Sequence, residues 1–451
     1  MRAHIYISSM TNNVILESCV ALNSKAITKI QTIILMAIIV IASLAGVIYV
    51  LLNEKTVETE TIKIGICADL DRLAGEGVWQ GAQLAAEQVN AEGGVLGRQI
   101  ELIGEDSDEE DVGMDPTKIN TAFTKLITYH KVDFILGGLF DQSAIVMQDI
   151  AAQHKKIYFT VSGGGDILTQ RVADNYDKYK YYFRTTQNST SFSRSIVESL
   201  VTLREYTGFN KLAYLAEDRE WTERIRTDVD AILAEEYGFQ VVYRGVYMSG
   251  TVDFTSYFAQ AEAAGAEIMI PLTDTDEGIS LTKEWCERQS PMVLWGMNIV
   301  AGSPNYCEIT EGKCEFETSC ADAVSMGYPM SNETLPMYTA FIDKWGYPPV
   351  VWPITAYDII RFVLPDAIER AGTIETEAVI KALEETDIET ASFPHFRFTQ
   401  SHDLLVTEST VSVLGQWQNG EMVPVYPKAI MEEAGATYTF PDWPGPWEDL
   451  S

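Results

Sequence analysis

The chain has 451 residues, 46% of them hydrophobic, with 65 Asp and Glu against 32 Lys and Arg and a net charge of -33. A chain this long and this apolar builds two or three cores, which excludes both a disordered protein and a small disulfide-stapled module. The acid excess argues against a nucleic-acid partner, because no concentrated basic patch is available to meet a phosphate backbone. The five histidines, at positions 4, 130, 154, 395 and 402, share no metal-ligand spacing, so no metal and no other cofactor is expected.

From Thr32 to Leu52 the sequence runs without a charge. As a helix rising about 1.5 Å per residue, it would match a bilayer core of roughly 30 Å. Residues 1–31 then form a cytoplasmic N-terminal segment, 32–52 one transmembrane helix acting as an anchor, and 53–61 a short tether. Arg2, Lys25 and Lys29 against Glu17 before the span, and Glu54 as the first charge after it, place the bulk of the chain outside the cell membrane. A cleaved signal peptide is the competing reading, although its apolar region is usually only about 7–15 residues long.

Beyond the tether, strand-like runs fall at Ile62–Ala68, Val132–Leu136, Lys156–Thr160, Lys211–Leu215, Val241–Tyr243, Glu267–Pro271 and Met292–Trp295. Helical runs alternate with them at Val78–Asn90, Pro116–His130, Ser143–His154, Ser189–Tyr206, Trp221–Tyr237, Asp253–Ala264 and Asp276–Gln289. This alternation predicts an α/β fold, with parallel sheets covered by helices on both faces. Asp115 before Pro116 reads as a helix start, and Gly93–Gly94 as a helix stop. Two such series, 62–184 and 185–326, imply two lobes around a cleft. Helices at Leu335–Trp345, Pro353–Ala371 and Glu375–Glu385 follow, then a hairpin, Val411–Trp417 with Met422–Tyr426, turning at Asn419–Gly420.

Cys19 precedes the apolar span and Cys67 lies in the first strand, whereas Cys286, Cys307, Cys314 and Cys320 crowd together in sequence. The last three belong to a polar insertion, 305–320, that lacks the periodicity for a core of its own. A disulfide among these four is therefore the expected staple, with one internal pair and a bridge to Cys286 as the suggested pattern. Free thiols and a metal cluster are the competing readings, the latter disfavoured because the spacings match no CxxC knuckle.

The stretches VDFILGG (132–138), FTVSGGG (159–165), YYFRTTQNST (181–190) and KLAYLAEDREWTERIRTD (211–228) stand in the order found in one family. Together with the segment from Ile62 to Glu110 and the late helices, they resemble the type I periplasmic solute-binding proteins of ABC importers. The likeness is to the branched-chain amino acid and amide group, leucine-binding-like proteins. It implies a two-lobe periplasmic binding protein type I fold with three hinge crossings. Residues 327–393 would return to lobe 1, 394–427 to lobe 2, and 428–451 would form a C-terminal tail.

The resemblance also implies a site. Ser143 matches a Ser that meets the ligand carboxylate, or it is a plain helix cap. Ser162, Gly163 and Gly164 form a turn whose bare amides suit an anion, or a simple flexible turn, and Gly164 stands where the family usually has Thr. Trp221 occupies a Tyr position, offering a broad face to an apolar or cationic group, or packing at a helix start. Asp276 best matches the acid that meets a ligand ammonium, with Asp274 close enough to compete; helix capping would explain both. Ala74 falls near a family aromatic, so the branched-chain ligand class does not transfer unchanged.

No nucleophile, base and orienter set is visible, and the acid run at 105–111 reads as a solvated loop, so no catalytic residue and no enzyme activity is expected. The implied function is a membrane-anchored substrate-binding component of an ABC importer that closes over an amino acid, an amide or a related small molecule and presents it to an ABC permease. A ligand-sensing ectodomain that signals through a membrane partner is the alternative.

Overall fold

The computed structural model describes residues 60–451 apart from 110–113, 304, 322, 408–411 and 451, together with residues 29, 34, 36, 37, 40, 41 and 43. The chain divides into two units, Met1–Thr59 and Glu60–Ser451. In the first, Ile34, Met36, Val40 and Ile41 are helical and more than half exposed. Otherwise the expected cytoplasmic segment, span and tether lie outside the described residues. Among the described residues no helix is long and apolar enough to cross a membrane.

Within Glu60–Ser451 the first lobe is built on five parallel strands: β1 (Ile62–Ala68), β2 (Ile100–Asp106), β3 (Phe134–Gly137), β4 (Ile157–Thr160) and β5 (Tyr182–Arg184). They lie in the order β2-β1-β3-β4-β5. Strands buried on both faces must be apolar nearly throughout. Accordingly Ile62, Ile64 and Ile66 of β1 face one core, and Cys67 faces a second with Phe123, Leu126 and Tyr158. The first core is closed by two crossing helices, Leu73–Ala91 and Val351–Asp358. Gly81 permits that crossing, since a Cβ there would stand 1.9 Å from the Pro353 carbonyl oxygen.

The second lobe continues with β6 (Lys211–Glu217), β7 (Gln240–Tyr247), β8 (Ile268–Thr273), β9 (Val293–Asn298) and β10 (Thr318–Ala321). A short pair, β11 (Asp387–Ile388) and β12 (Phe396–Arg397), precedes the closing hairpin of β13 (Val413–Gln418) and β14 (Glu421–Tyr426). The sheet order is β14-β13-β10-β9-β8-β6-β7. It is parallel from β7 to β10 and antiparallel at the hairpin. Asn419 and Gly420 turn with φ of 55° and 80°, the mirror-image turn that matches strand twist.

Four expectations need correction. The third crossing does not fall at 394, because Phe396, Phe398 and Leu404 pack in the first-lobe core. Buried Asp403 also holds buried Arg184 there, through Nη2–Oδ2 at 2.6 Å and Nε–Oδ1 at 2.8 Å. Residues 428–451 are not a free tail: Tyr438 and Trp447 are buried in the second lobe, with Phe440 and Trp443 against it. The insertion 305–320 has a core, with Tyr306, Cys314 and Trp417 closed around Val300 and Ala301, and its end supplies β10. The expected staple is not formed among them: Cys286, Cys307 and Cys314 are free thiols. Cys314 is buried in the insertion core and Cys320 in the second-lobe core, so both serve as small apolar residues.

Candidate functional site

In parallel α/β sheets the loops at the carboxyl ends of the strands gather around a crevice. Here the loops after β3 and β4 supply one wall, and the loops after β6 and β8 the other. An inner pocket between them is lined by Phe140, Ser162, Gly163 and Gly164 from the first lobe and by Trp221 and Asp274 from the second. It opens into a cleft of about 760 Å³ bordered by Ala74, Glu109, Asp276 and Glu277. Contacts that span the lobes include the Arg219 guanidinium 5.0 Å from the Phe140 ring centre and Arg224 Nη1 3.7 Å from Asp166 Oδ2.

Of the two acids, Asp274 reaches the inner pocket and exposed Asp276 stands at the mouth. The Trp221 indole N–H donates to Asp274 Oδ2 at 2.9 Å, which fixes both side chains against the pocket. The other oxygen, Oδ1, is buried without a hydrogen-bond partner and lies 4.0 Å from Arg219 Nε. Burial, then the neighbouring Glu217 carboxylate, pushes the Asp274 carboxyl well above the ordinary range, while Arg219 opposes the shift. Burial acts on Glu217 in the same direction, but it is outweighed. Ser249 Oγ donates at 2.5 Å, and Arg219 Nε at 2.9 Å to the same carboxylate, and Glu217 stays below the usual range.

Ser143 is not a pocket residue. It is fully buried in the first turn of the helix Asp141–His154, where its hydroxyl donates to Glu109 Oε2 and, at 2.8 Å, to the Phe140 carbonyl. Its neighbour Gln142 faces the pocket instead. Glu109, read as part of a solvated loop, is 2% exposed and also accepts from Leu139 N–H at 2.9 Å and Ser107 Oγ at 3.1 Å. Burial raises its carboxyl to about 7 against those donors.

The glycine turn is less open to an anion than its sequence suggests. Gly163 N–H donates to the Gly138 carbonyl at 3.3 Å, and Gly165 N–H to Asp141 Oδ1 at 2.6 Å. Gly164 borders the pocket, and a Cβ there would meet Phe192 at an ordinary 3.5 Å. Among the described residues no group of three or more His, Cys, Asp or Glu is placed to hold a metal.

Sequence reasoning missed Arg219, Gln142, Glu109 and Thr186. Arg219 stood in the Asp-Arg-Glu-Trp stretch already singled out, whereas nothing local marks Glu109 as buried. Thr186 lies at the first hinge crossing and lines both the inner pocket and a second cavity, of about 100 Å³.

The periplasmic binding protein family profile matches residues 61–290. A Leu/Ile/Val-binding protein homolog 7 from Brucella abortus is 23% identical over 373 residues, covering 79% of this chain and 88% of its own. Among solved structures, the branched-chain amino acid transporter substrate-binding protein LivJ from Streptococcus pneumoniae, in complex with isoleucine, superposes with a TM-score of 0.69 at 19% identity, covering 80% of this chain and 98% of that one. An ABC transporter solute-binding protein from R. palustris, in complex with benzoate, gives 0.69 at 16% identity, covering 81% and 95%.

Proposed function

The chain belongs to the periplasmic binding protein family, and on that premise we propose that it captures a small amino-acid-like solute between its lobes and hands it to an ABC permease. The carrying observation is the convergence of Phe140, Ser162, Gly163, Gly164, Trp221 and Asp274, from the segments that follow four strands of two lobes, on one pocket. A ligand shifts a two-state equilibrium only by binding one state better than the other. Contacts from both lobes supply that preference, because only the closed form can make them together. The solute is bound without being transformed.

The chain is held at the outer face of the cell membrane by residues 32–52. Exposed Ile34, Met36, Val40 and Ile41 on a helical segment support this, since such a face is stable only when covered by apolar surroundings. The signalling alternative uses the same closure.

A thermal-shift screen of the full chain against amino acids, amides, amines, short peptides, nucleobases and sugars tests the reading. A rise in melting temperature with an amino acid, amide or amine, confirmed as one-to-one by calorimetry, supports it. No shift with any of these compounds contradicts it.

A further inference from the structure

We infer that two side-chain pairs, Arg219 with Phe140 and Arg224 with Asp166, latch the lobes to one another, so that part of the solute-free protein is already closed. The inference rests on the closure reading above and does not depend on which solute is captured.

The first pair crosses the inner pocket. Phe140 stands on the first lobe, immediately before the helix Asp141–His154, and Arg219 on the second, immediately before the helix Glu220–Asp228. The guanidinium is anchored within its own lobe, with Nε 2.9 Å from Glu217 Oε1 and 4.0 Å from Asp274 Oδ1. Across the cleft it lies 5.0 Å from the Phe140 ring centre, inside the range of about 6 Å over which a cation is drawn to an aromatic face. The ring in turn packs against the first-lobe core. Both partners are thus ordered before they meet, so their contact costs little further side-chain entropy.

The second pair borders neither the pocket nor the cleft. Asp166 follows the glycine turn, and Arg224 stands one turn after Trp221 on the same helix, with Nη1 3.7 Å from Asp166 Oδ2. Each is fixed by a further contact: Asp166 Oδ2 accepts from Thr190 Oγ1 at 2.7 Å, and Arg224 Nε donates to Asp228 Oδ2 at 2.8 Å. The pair therefore ties the two segments that carry opposite pocket walls, the glycine turn and the Trp221 helix. At 46% and 35% exposure it is the weaker of the two.

A closed fraction present before the solute arrives strengthens apparent binding of every solute by one common factor, because the intrinsic constant is divided by the competent fraction. A direct contact to the solute acts differently, since it changes the ranking among solutes.

Pulsed electron resonance on the full chain, reading the distance between two spin labels, tests the latch. Labels on ketone-bearing residues at Leu73 and Val252, which are 51% and 77% exposed on opposite sides of the cleft mouth, leave the cysteines untouched. The expected result is a short and a long distance in the solute-free protein. Phe140→Leu should lower the ratio of short to long by about 2- to 30-fold, and Phe140→Tyr, which keeps the ring, should leave it unchanged. Asp166→Lys replaces attraction by repulsion and should lower the ratio by about two- to tenfold, an effect that shrinks at high salt. Being part-exposed, Asp166 can be changed with the melting temperature held within a few degrees, so this variant decides the matter if Phe140→Leu does not fold. A single long distance in the solute-free protein, or a ratio that neither variant moves, would overturn the inference. So would an Asp166→Lys loss of affinity that differs more than threefold between solutes found in the wider screen. If such a solute still shortens the distance while the latch fails, closure over a solute stands.

Discussion

Replacing Asp274 by Asn separates a ligand acceptor from a structural prop. An Asn side chain keeps the shape and retains an amide oxygen for the Trp221 indole N–H, so the 2.9 Å bond that orients the ring survives. What disappears is the carboxylate charge, whose Oδ1 has no hydrogen-bond partner and lies 4.0 Å from Arg219 Nε. A hydrogen bond to a charged group is worth about 1.5–3 kcal/mol. A ligand whose ammonium meets Asp274 should therefore bind roughly 10- to 150-fold more weakly, while a carboxylate without an amine loses nothing. Stability of the free protein moves the other way. The folded-state carboxyl is raised above its unfolded value by burial and by Glu217, against Arg219, so its contribution is present at low pH and lost as pH rises through the folded value. The Asn variant should match the parent in acid and exceed it increasingly at higher pH. For the same reason amine binding to the parent should tighten as pH rises, because protons compete for Asp274, until the amine itself titrates. Calorimetry for affinity and thermal melts from pH 5 to 9 read both effects. An equal loss for amine and carboxylate, or a lower melting temperature at every pH, would refute the reasoning.

Ser143→Ala should destabilise the free protein by about 1–3 kcal/mol, because buried Glu109 loses a donor without gaining water; an unchanged urea midpoint would contradict this. Glu317 is fully buried, accepts from Asn298 at 2.8 Å and from Tyr306 and Thr282 at 3.0 Å, and burial raises it from 4.5 to about 7. Its contribution is present below the unfolded value and lost as pH rises through 7, about 1.4 kcal/mol per unit and roughly 3 kcal/mol in all; Glu317→Gln should flatten that part of the stability profile, and a profile of unchanged slope would count against it. Gly164→Ala should fold normally, its Cβ meeting only ordinary contacts, whereas Gly165→Ala would place a Cβ 2.8 Å from the Asp141 carboxyl carbon and should lower the melting temperature. Asp403→Ala strands buried Arg184 and should cost about 3–5 kcal/mol, measured by denaturant unfolding.

Periodicity located most of the regular elements, because strands such as β8 are buried on both faces and show it as an unbroken apolar run. It missed β2, whose outer residues are half-buried and whose Glu105 and Asp106 resemble loop, and β10, which is hidden in a polar insertion. The crossing after residue 404 was misplaced for a tertiary reason: Phe396 and Phe398 are apolar enough for either lobe, and the Arg184–Asp403 pair that assigns them joins residues 219 positions apart. At the site, Trp221, Asp274 and the Ser162 turn were singled out because each closely follows the carboxyl end of a strand, Trp221 in the first turn of the helix Glu220–Asp228. Ser143 was read as a ligand group since a hydroxyl in a first helical turn looks alike in sequence whether it faces a ligand or a buried Glu109. The cysteines misled in the same way, as composition cannot distinguish a staple from a small buried residue.

Hydrogen exchange on the full chain, with and without each compound of the amino-acid and amine panel, tests closure over a solute most directly. The account predicts that a compound which raises the melting temperature slows exchange together in 138–143 and 162–165 of the first lobe and in 218–222 and 273–277 of the second. Protection confined to one lobe, or lying outside these four loops, would contradict it.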